Sequence, residues 1–361
     1  MVSKTRTMRA IKEKIKGILM EEELLCDMFN GLVDMGEMDD KSLSELRKRT
    51  ENPTLYQDKI ITLSKEEIMK NPYLENITVP YESSNNLRYT QRRLRPRTVT
   101  VYDKKKRDVN TLRQINSYFI CDERLRFPGI IEGDNLSCWM TVEPIEINTF
   151  KDFIDEATGD VLLIGCGLGY VAYMLSRKED VKSITVVDNN EDVLELFNTH
   201  ILPQFENKDK IRTIKSDGIK YLKDNDLRTF DHINVDIWYD TCDMIHPYLK
   251  CLEIENTNST VKFSYWLEEE LKEGLQKSIL CAISEFPTEE LLINKIGEDI
   301  VRQTSIRTFE DIQNLIDIKD MRTLMYSWYT DNKSVVKTHE IIDTSRMNEA
   351  KEAAKMFIKQ K

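Results

Sequence analysis

A run of five residues and a few acids and amides downstream carry the chemistry that this sequence offers. Gly165-Cys166-Gly167-Leu168-Gly169 follows a short apolar run, Val161 to Ile164, and precedes Tyr170 to Arg177, where Val171, Met174 and Leu175 recur at helical spacing. Glycines let a backbone take positive φ and approach a ligand closely, and the helix that follows begins with unpaired N–H groups. Ile184 to Val187 reads as a second buried strand ending on Asp188, nineteen residues beyond Gly169. A carboxylate at that tip is placed to accept hydrogen bonds from two ribose hydroxyls, with Asn189 beside it. The unit is strand, turn, helix and strand: half of a nucleotide-cofactor fold, or a tight turn with no ligand.

Two further acids stand at strand ends. Ile211 to Ser216 runs into Asp217-Gly218, and Ile233 to Val235 into Asp236. In open parallel sheets the carboxyl edge is where ligands bind. Asp217 is equally suited to cap the helix Ile219 to Asp224, and Asp236 to make a turn after its strand. The glycine spacing bears on the cofactor. A dinucleotide fingerprint needs G-x-G-x-x-G/A, whereas here the third glycine comes one residue early and Tyr170 takes the last place, which weighs against NAD.

The elements that must position these residues fill the middle of a 361-residue chain, long enough for a core domain and one or two additions. Residues 1–72 read as helical, with Met8 to Met20, Glu21 to Leu32 and Lys41 to Arg49 as segments. Residues 73–147 read as a small β-rich layer, with runs at Thr98 to Tyr102, Ile115 to Ile120, Gly129 to Ile131 and Cys138 to Val142. Residues 148–286 hold the core: Val193 to Leu202 is a helix that Pro203 stops, Thr260 to Trp266 a fifth strand, and Leu267 to Glu285 a long helix. Residues 287–361 read as a helical extension that includes Thr308 to Ile316 and Arg346 to Lys359.

Composition excludes several classes. A net charge of −11 argues against nucleic acid as a general partner, although Arg92, Arg93, Arg95, Arg97 and Lys104 to Arg107 form a local basic cluster. No apolar run has the roughly 18–20 residues needed to span a bilayer. The opening residues carry no apolar secretory stretch, and the expectation is a soluble, cytoplasmic protein. Seven scattered cysteines and four histidines show neither C-x-x-C nor H-E-x-x-H spacing, so neither a disulfide framework nor a metal site is expected.

Taken together, G-x-G-x-G and its strand-end acid resemble motif I of the class I S-adenosylmethionine-dependent methyltransferases. The stretch GIIEGDNLSCWMTVEPIEI, Gly129 to Ile147, resembles the hairpin that precedes the core of spermidine synthases. There the hairpin lies over the cofactor cleft, so Trp139, Met140 and Glu143 would line a pocket; Trp139 and Met140 would also serve as interdomain packing. IRTIKSDGIKYL resembles the motif whose acid, here Asp217, faces the adenine. Asp236 matches the aspartate that accepts a proton from an attacking amine, while Tyr239 stands where that family has a second acid. Trp238 and Tyr239 therefore suggest a flatter or more apolar acceptor, or a closed site. The resemblance covers residues 130–270.

The resemblance implies a Rossmann-like class I methyltransferase core, doubly wound on a mostly parallel sheet, of the spermidine synthase-like branch. It implies a transferase using S-adenosylmethionine or its decarboxylated relative, without metal, and a small-molecule acceptor. Cofactor contacts would come from Gly165, Cys166, Gly167, Gly169, Asp188, Asn189, Asp217 and Gly218, and the catalytic carboxylate from Asp236. The alternative is a catalytically inactive fold kept as an interaction subunit. The helical termini are candidate surfaces for a homo-oligomer.

Overall fold

The computed structural model describes residues 9–23, 39, 41, 44, 59–133, 137–258, 260–285 and 309–330. Helix α1 (9–23) comes first, followed by β1 (Lys59–Thr62), α2 (Lys65–Met69) and α3 (Pro72–Asn76). Strands β2 (Ser83–Ser84), β3 (Leu87–Leu94), β4 (Thr100–Arg107), β5 (Gln114–Ile120), β6 (Leu125–Glu132) and β7 (Ser137–Thr141) lead into α4 (Pro144–Glu156). Then strands and helices alternate: β8 (Gly159–Ile164), α5 (Tyr170–Ser176), β9 (Val181–Asp188), α6 (Glu191–Leu196), β10 (Ile211–Lys215) and α7 (Gly218–Asp224). After β11 (His232–Val235), α8 (Thr241–Asn256), β12 (Lys262–Tyr265) and α9 (Glu268–Glu285), the described chain ends with α10 (Phe309–Ile316) and α11 (Met321–Thr330).

The apolar middle strands pair in the order β10-β9-β8-β11-β12, and every neighbouring pair is parallel. From β8 the chain winds outward through β9 to β10, then returns to place β11 on the other flank of β8. The order therefore reverses between β8 and β11, at whose carboxyl ends a crevice must open. Both faces are covered, as a parallel sheet requires. Leu162 and Ile164 of β8 pack with Tyr221, Leu222, Tyr248, Leu252, Leu271 and Leu275 on one side. Val161 and Leu163 pack with Phe150, Phe153, Tyr170, Tyr173 and Val193 on the other.

The β-rich region forms two sheets, β1-β5-β4 and the antiparallel β2-β3-β6-β7. Lys59–Thr62 lies in the segment read as helical, yet it is a strand, because four residues gain a full ladder by lying parallel to β5. The helix expected over Val193 to Leu202 is α-helical through Leu196, then π-helical over Phe197–Ile201, before a 3₁₀ turn at Leu202–Gln204 that contains Pro203. The helix expected at Arg346 to Lys359, and most of those at Lys41 to Arg49 and Glu21 to Leu32, fall outside the described residues.

The terminal helices are part of the core. Ile11, Ile15 and Ile18 of α1 share one apolar cluster with Ile312, Ile316, Met321 and Met325 and with the helices behind β8 and β11. A buried charge cluster locks this side. Arg107, at the end of β4, donates to Glu22 of α1 at 2.8 Å and to Glu273 of α9 at 2.6 Å. Burial opposes its charge, but the two carboxylates more than restore it and raise the guanidinium pKa. Breaking such a buried pair costs about 3–5 kcal/mol.

Candidate active site

Beyond β8 the chain turns sharply, and the turn is possible because of glycine. Gly165 sits at φ 108°, and a Cβ there would overlap the backbone oxygen of Asp236. Gly169 sits at φ 72° and opens α5, and a Cβ on it would overlap the ring of Phe197, held in the π-helical turn. Over Gly167 lies the thioether of Met140 from β7. The turn is therefore pressed against β11 and α6 while its upper face lies open to a cleft of about 600 Å³.

Asp188 ends β9 beside this turn. Its Oδ2 accepts from the Cys166 N–H at 2.9 Å and its Oδ1 from the Asn190 N–H at 2.8 Å. Burial raises its carboxyl pKa, and bonds from the N–H groups of Asn190, Cys166 and Asn189 oppose the rise. The Cys166 thiol is pushed well up by burial and then by Asp188, which keeps it neutral and unreactive. Asp217 caps α7 by accepting from the Lys220 N–H at 2.7 Å, and it also lines the cleft beside Asn189 and Gly218. The cap and the cleft position are compatible.

Asp236, Glu143 and Glu146 also line the cleft. Asp236 follows β11, its N–H bonded to the Ile164 carbonyl at 2.8 Å. Burial, and then the charge of Asp188, push its carboxyl up to about 8. By accessible surface the residue is only half-buried, because it faces the cleft, so water there moderates the shift. Glu146, in the first turn of α4, is raised well above the ordinary carboxylate range by burial and then by Asp236 and Glu143. Glu143 is buried, accepts from Thr141 Oγ1 at 3.0 Å and pairs with Arg92 of β3. Its Oε2 has no hydrogen-bond partner among the described residues. Burial lifts its carboxyl pKa and Arg92 holds it back.

Seven carboxylates line the cleft (Glu143, Glu146, Asp188, Asp217, Asp236, Asp240 and Glu270), and no lysine, arginine or histidine is among the described lining residues. Aromatic rings complete the acid-rich end. Trp238 is buried and donates its indole N–H to the Trp266 carbonyl at 3.0 Å, while Trp139 lies on the wall opposite. Tyr239 is 61% exposed at the mouth and reaches Glu132 of β6 at 3.3 Å. Of the expected site residues, Gly165, Cys166, Gly167, Asp188, Asn189, Asp217, Gly218 and Asp236 line this cleft, whereas Gly169 opens α5 and is not among its lining residues; Glu146 and Trp266 line it as well. Glu146 is disguised in the sequence as a first-turn acid suited to the helix dipole. Trp266 reads as the end of an apolar strand.

This lining fits an adenosyl sulfonium: an open glycine turn, a strand-end carboxylate for a diol, and an acidic environment for a cation. The dinucleotide alternative is weakened by Tyr170, which stands where that fingerprint has its last glycine or alanine. Among the described residues no group of three or more His, Cys, Asp or Glu could hold a metal ion, and no helix is long and apolar enough to cross a membrane.

Residues 147–262 match the spermine/spermidine synthase domain. Among solved structures, an O-methyltransferase assignment from Klebsiella pneumoniae aligns at 15% identity and TM-score 0.23, over 28% of this chain and 46% of that one. The Trypanosoma brucei PRMT1 enzyme–prozyme heterotetrameric complex with AdoHcy aligns at 18% identity and TM-score 0.25, over 33% and 37%. The chain thus spans less than half the length of either structure. No curated protein matches. The sheet order, the glycine turn and the strand-end acids make the core of this chain a Rossmann-like fold, and over residues 147–262 it is similar to the spermine/spermidine synthase domain.

Proposed function

We propose that this cleft transfers an alkyl group from an adenosyl sulfonium to the nitrogen of a small amine, and that the sulfonium is the decarboxylated form of S-adenosylmethionine. The observation that carries the reading is the lining: seven carboxylates with no cationic side chain among the described lining residues. A cofactor with a free carboxylate would have to desolvate it against Glu143 and Glu146, whereas a carboxylate-free one brings only positive charge to an acidic wall. The glycine turn, Asp188, Asn189, Asp217 and Gly218 would hold the adenosyl part. The match to the spermine/spermidine synthase domain supports the same class of chemistry.

When bound, the sulfonium supplies an electrophilic carbon beside sulfur and leaves as a neutral thioether. The attacking nitrogen must be uncharged, and after the new C–N bond forms and the C–S bond breaks it carries a proton to be removed. Asp236 is the group for that proton. Burial and the neighbouring Asp188 raise its pKa to about 8 and favour the protonated form. A cation bound beside it favours the carboxylate, so the arriving sulfonium itself generates the base. The reading of an inactive scaffold draws no support from so large an open cleft.

The test is to incubate the protein with decarboxylated S-adenosylmethionine and a panel of small amines, and to follow methylthioadenosine by mass spectrometry. Amine-dependent release supports the reading. Binding of the sulfonium without release for any amine would remove it.

A further inference from the structure

Beside the cleft lies a second cavity of about 100 Å³. One side carries the ion pair of Lys104 with Asp152, at 3.0 Å, and the other the turn from β12 into α9, with Glu268 and Glu269. Thr149, Phe150, Asn234, Trp266, Leu267 and Glu270 line both spaces and so stand between them. Trp266 is the largest of these residues. Its indole lies on Phe150, with centroids 6.1 Å apart and planes within 10°, and donates to Thr149 Oγ1 at 3.1 Å.

The turn that presents this indole is held from outside the matched domain. Leu267 has φ 64°, a left-handed conformation that a residue with a branched side chain keeps only when its surroundings impose it. The next residue, Glu268, accepts from Arg322 of α11 at both oxygens, each at 2.8 Å. Arg322 also donates to Glu255 of α8 at 2.8 Å, and its guanidinium lies 5.0 Å from the ring centroid of Tyr265. Tyr248 adds a bond to the same Glu268 oxygen at 2.7 Å. Two elements and one cation thus fix the backbone on the C-terminal side of Trp266.

The geometry points to Trp266 as the partition that limits how long an acceptor the cleft admits, with Arg322 as the positioning residue that keeps the partition in place. This rests on the amine reading above. An acceptor that fits the cleft ends against the indole. With the indole removed, the two spaces join, and the far ammonium of a longer chain reaches the side cavity with its glutamates. The partition therefore selects by length and not by charge.

The experiment compares wild type, Trp266→Ala, Trp266→Phe and Arg322→Met across linear α,ω-diamines of increasing length. It measures kcat/KM with decarboxylated S-adenosylmethionine, and diamine binding by calorimetry. In Trp266→Ala the optimum moves to longer diamines, and the ratio of long to short rises at least about tenfold, as a few methylenes in an apolar passage allow. Trp266→Phe keeps the wild-type order, and Arg322→Met broadens it while the adenosyl ligand still binds. An unchanged length order in a folded, active Trp266→Ala overturns the partition and leaves the transferase reading standing. A length shift in binding with no turnover in any form keeps the partition and overturns the transferase reading; no diamine binding to any form overturns both.

Discussion

The two ends of the cleft are built by different means. The glycine end is made of backbone: a turn that tolerates no Cβ at Gly165 or Gly169, fastened through the Cys166 N–H to the Asp188 carboxylate. The acid-rich end is made of side chains from three separate connections, β7 to α4, β11 to α8 and β12 to α9. The glycine end, from Gly165 to Gly218, lies wholly within the matched residues 147–262, whereas Trp139, Glu143, Glu146, Trp266 and Glu270 flank that segment. A ligand part common to many reactions is suited by fixed backbone geometry, and a partner that differs between reactions by side chains that can change singly.

The sharpest way to break this contrast is at Gly165, where the two ends touch through the Asp236 backbone. Gly165→Ala meets both a left-handed φ and a backbone clash, so it should cost about 3 kcal/mol or more in denaturant unfolding and abolish ligand stabilisation. Unchanged unfolding and binding would show that the turn is not pressed as described. Next comes Asp236→Asn, expected to lower turnover by about 10²–10⁴ with adenosyl affinity nearly unchanged. A parallel loss of adenosyl binding would mean that the ends do not act separately.

The same carboxyl sets a pH dependence. Its folded pKa of about 8 lies above the ordinary unfolded value near 3.9, so the unfolded chain loses its proton first and stability falls as pH rises from about 4 to about 8. Glu146 acts in the same direction. Unfolding of Asp236→Asn measured across this range should therefore show a shallower decline than wild type, and a steeper one would contradict the assignment. Glu146→Gln should raise the KM of the amine about tenfold, because a bound cation draws Glu146 into its carboxylate form and the amide cannot follow, leaving kcat less affected. The smallest effect belongs to Tyr239→Phe. Its hydroxyl meets Glu132 at an exposed mouth, so stability should change by about 0.5 kcal/mol or less and turnover within about twofold.

Legibility follows the same division. The apolar run of β8, the glycines and Asp188 are adjacent in sequence and obey local rules, so strand, turn, helix and strand stand where spacing puts them. Asp236 is found the same way, as an acid closing an apolar strand. Glu146 and Trp266 are invisible as site residues because each also satisfies a local role, helix start and strand end. Helix α8 escapes notice because Pro247 lies inside it, although Met244, Ile245, Tyr248, Leu249 and Leu252 have helical spacing. The basic cluster divides between surface and fold. Arg93, Arg95, Lys105 and Lys106 are exposed, whereas Arg92 pairs with Glu143, Lys104 with Asp152, and Arg107 with Glu22 and Glu273. Partners so distant in the chain leave no spacing to read.

The most direct test of the carboxylate-lined cleft is isothermal titration of the wild-type protein with decarboxylated S-adenosylmethionine and with S-adenosylmethionine, and of Asp188→Ala with the first. Binding of the decarboxylated compound at least about tenfold tighter, a difference of about 1.4 kcal/mol, and its loss in Asp188→Ala, is the predicted result. Equal or tighter binding of S-adenosylmethionine, or no binding of either, would contradict it.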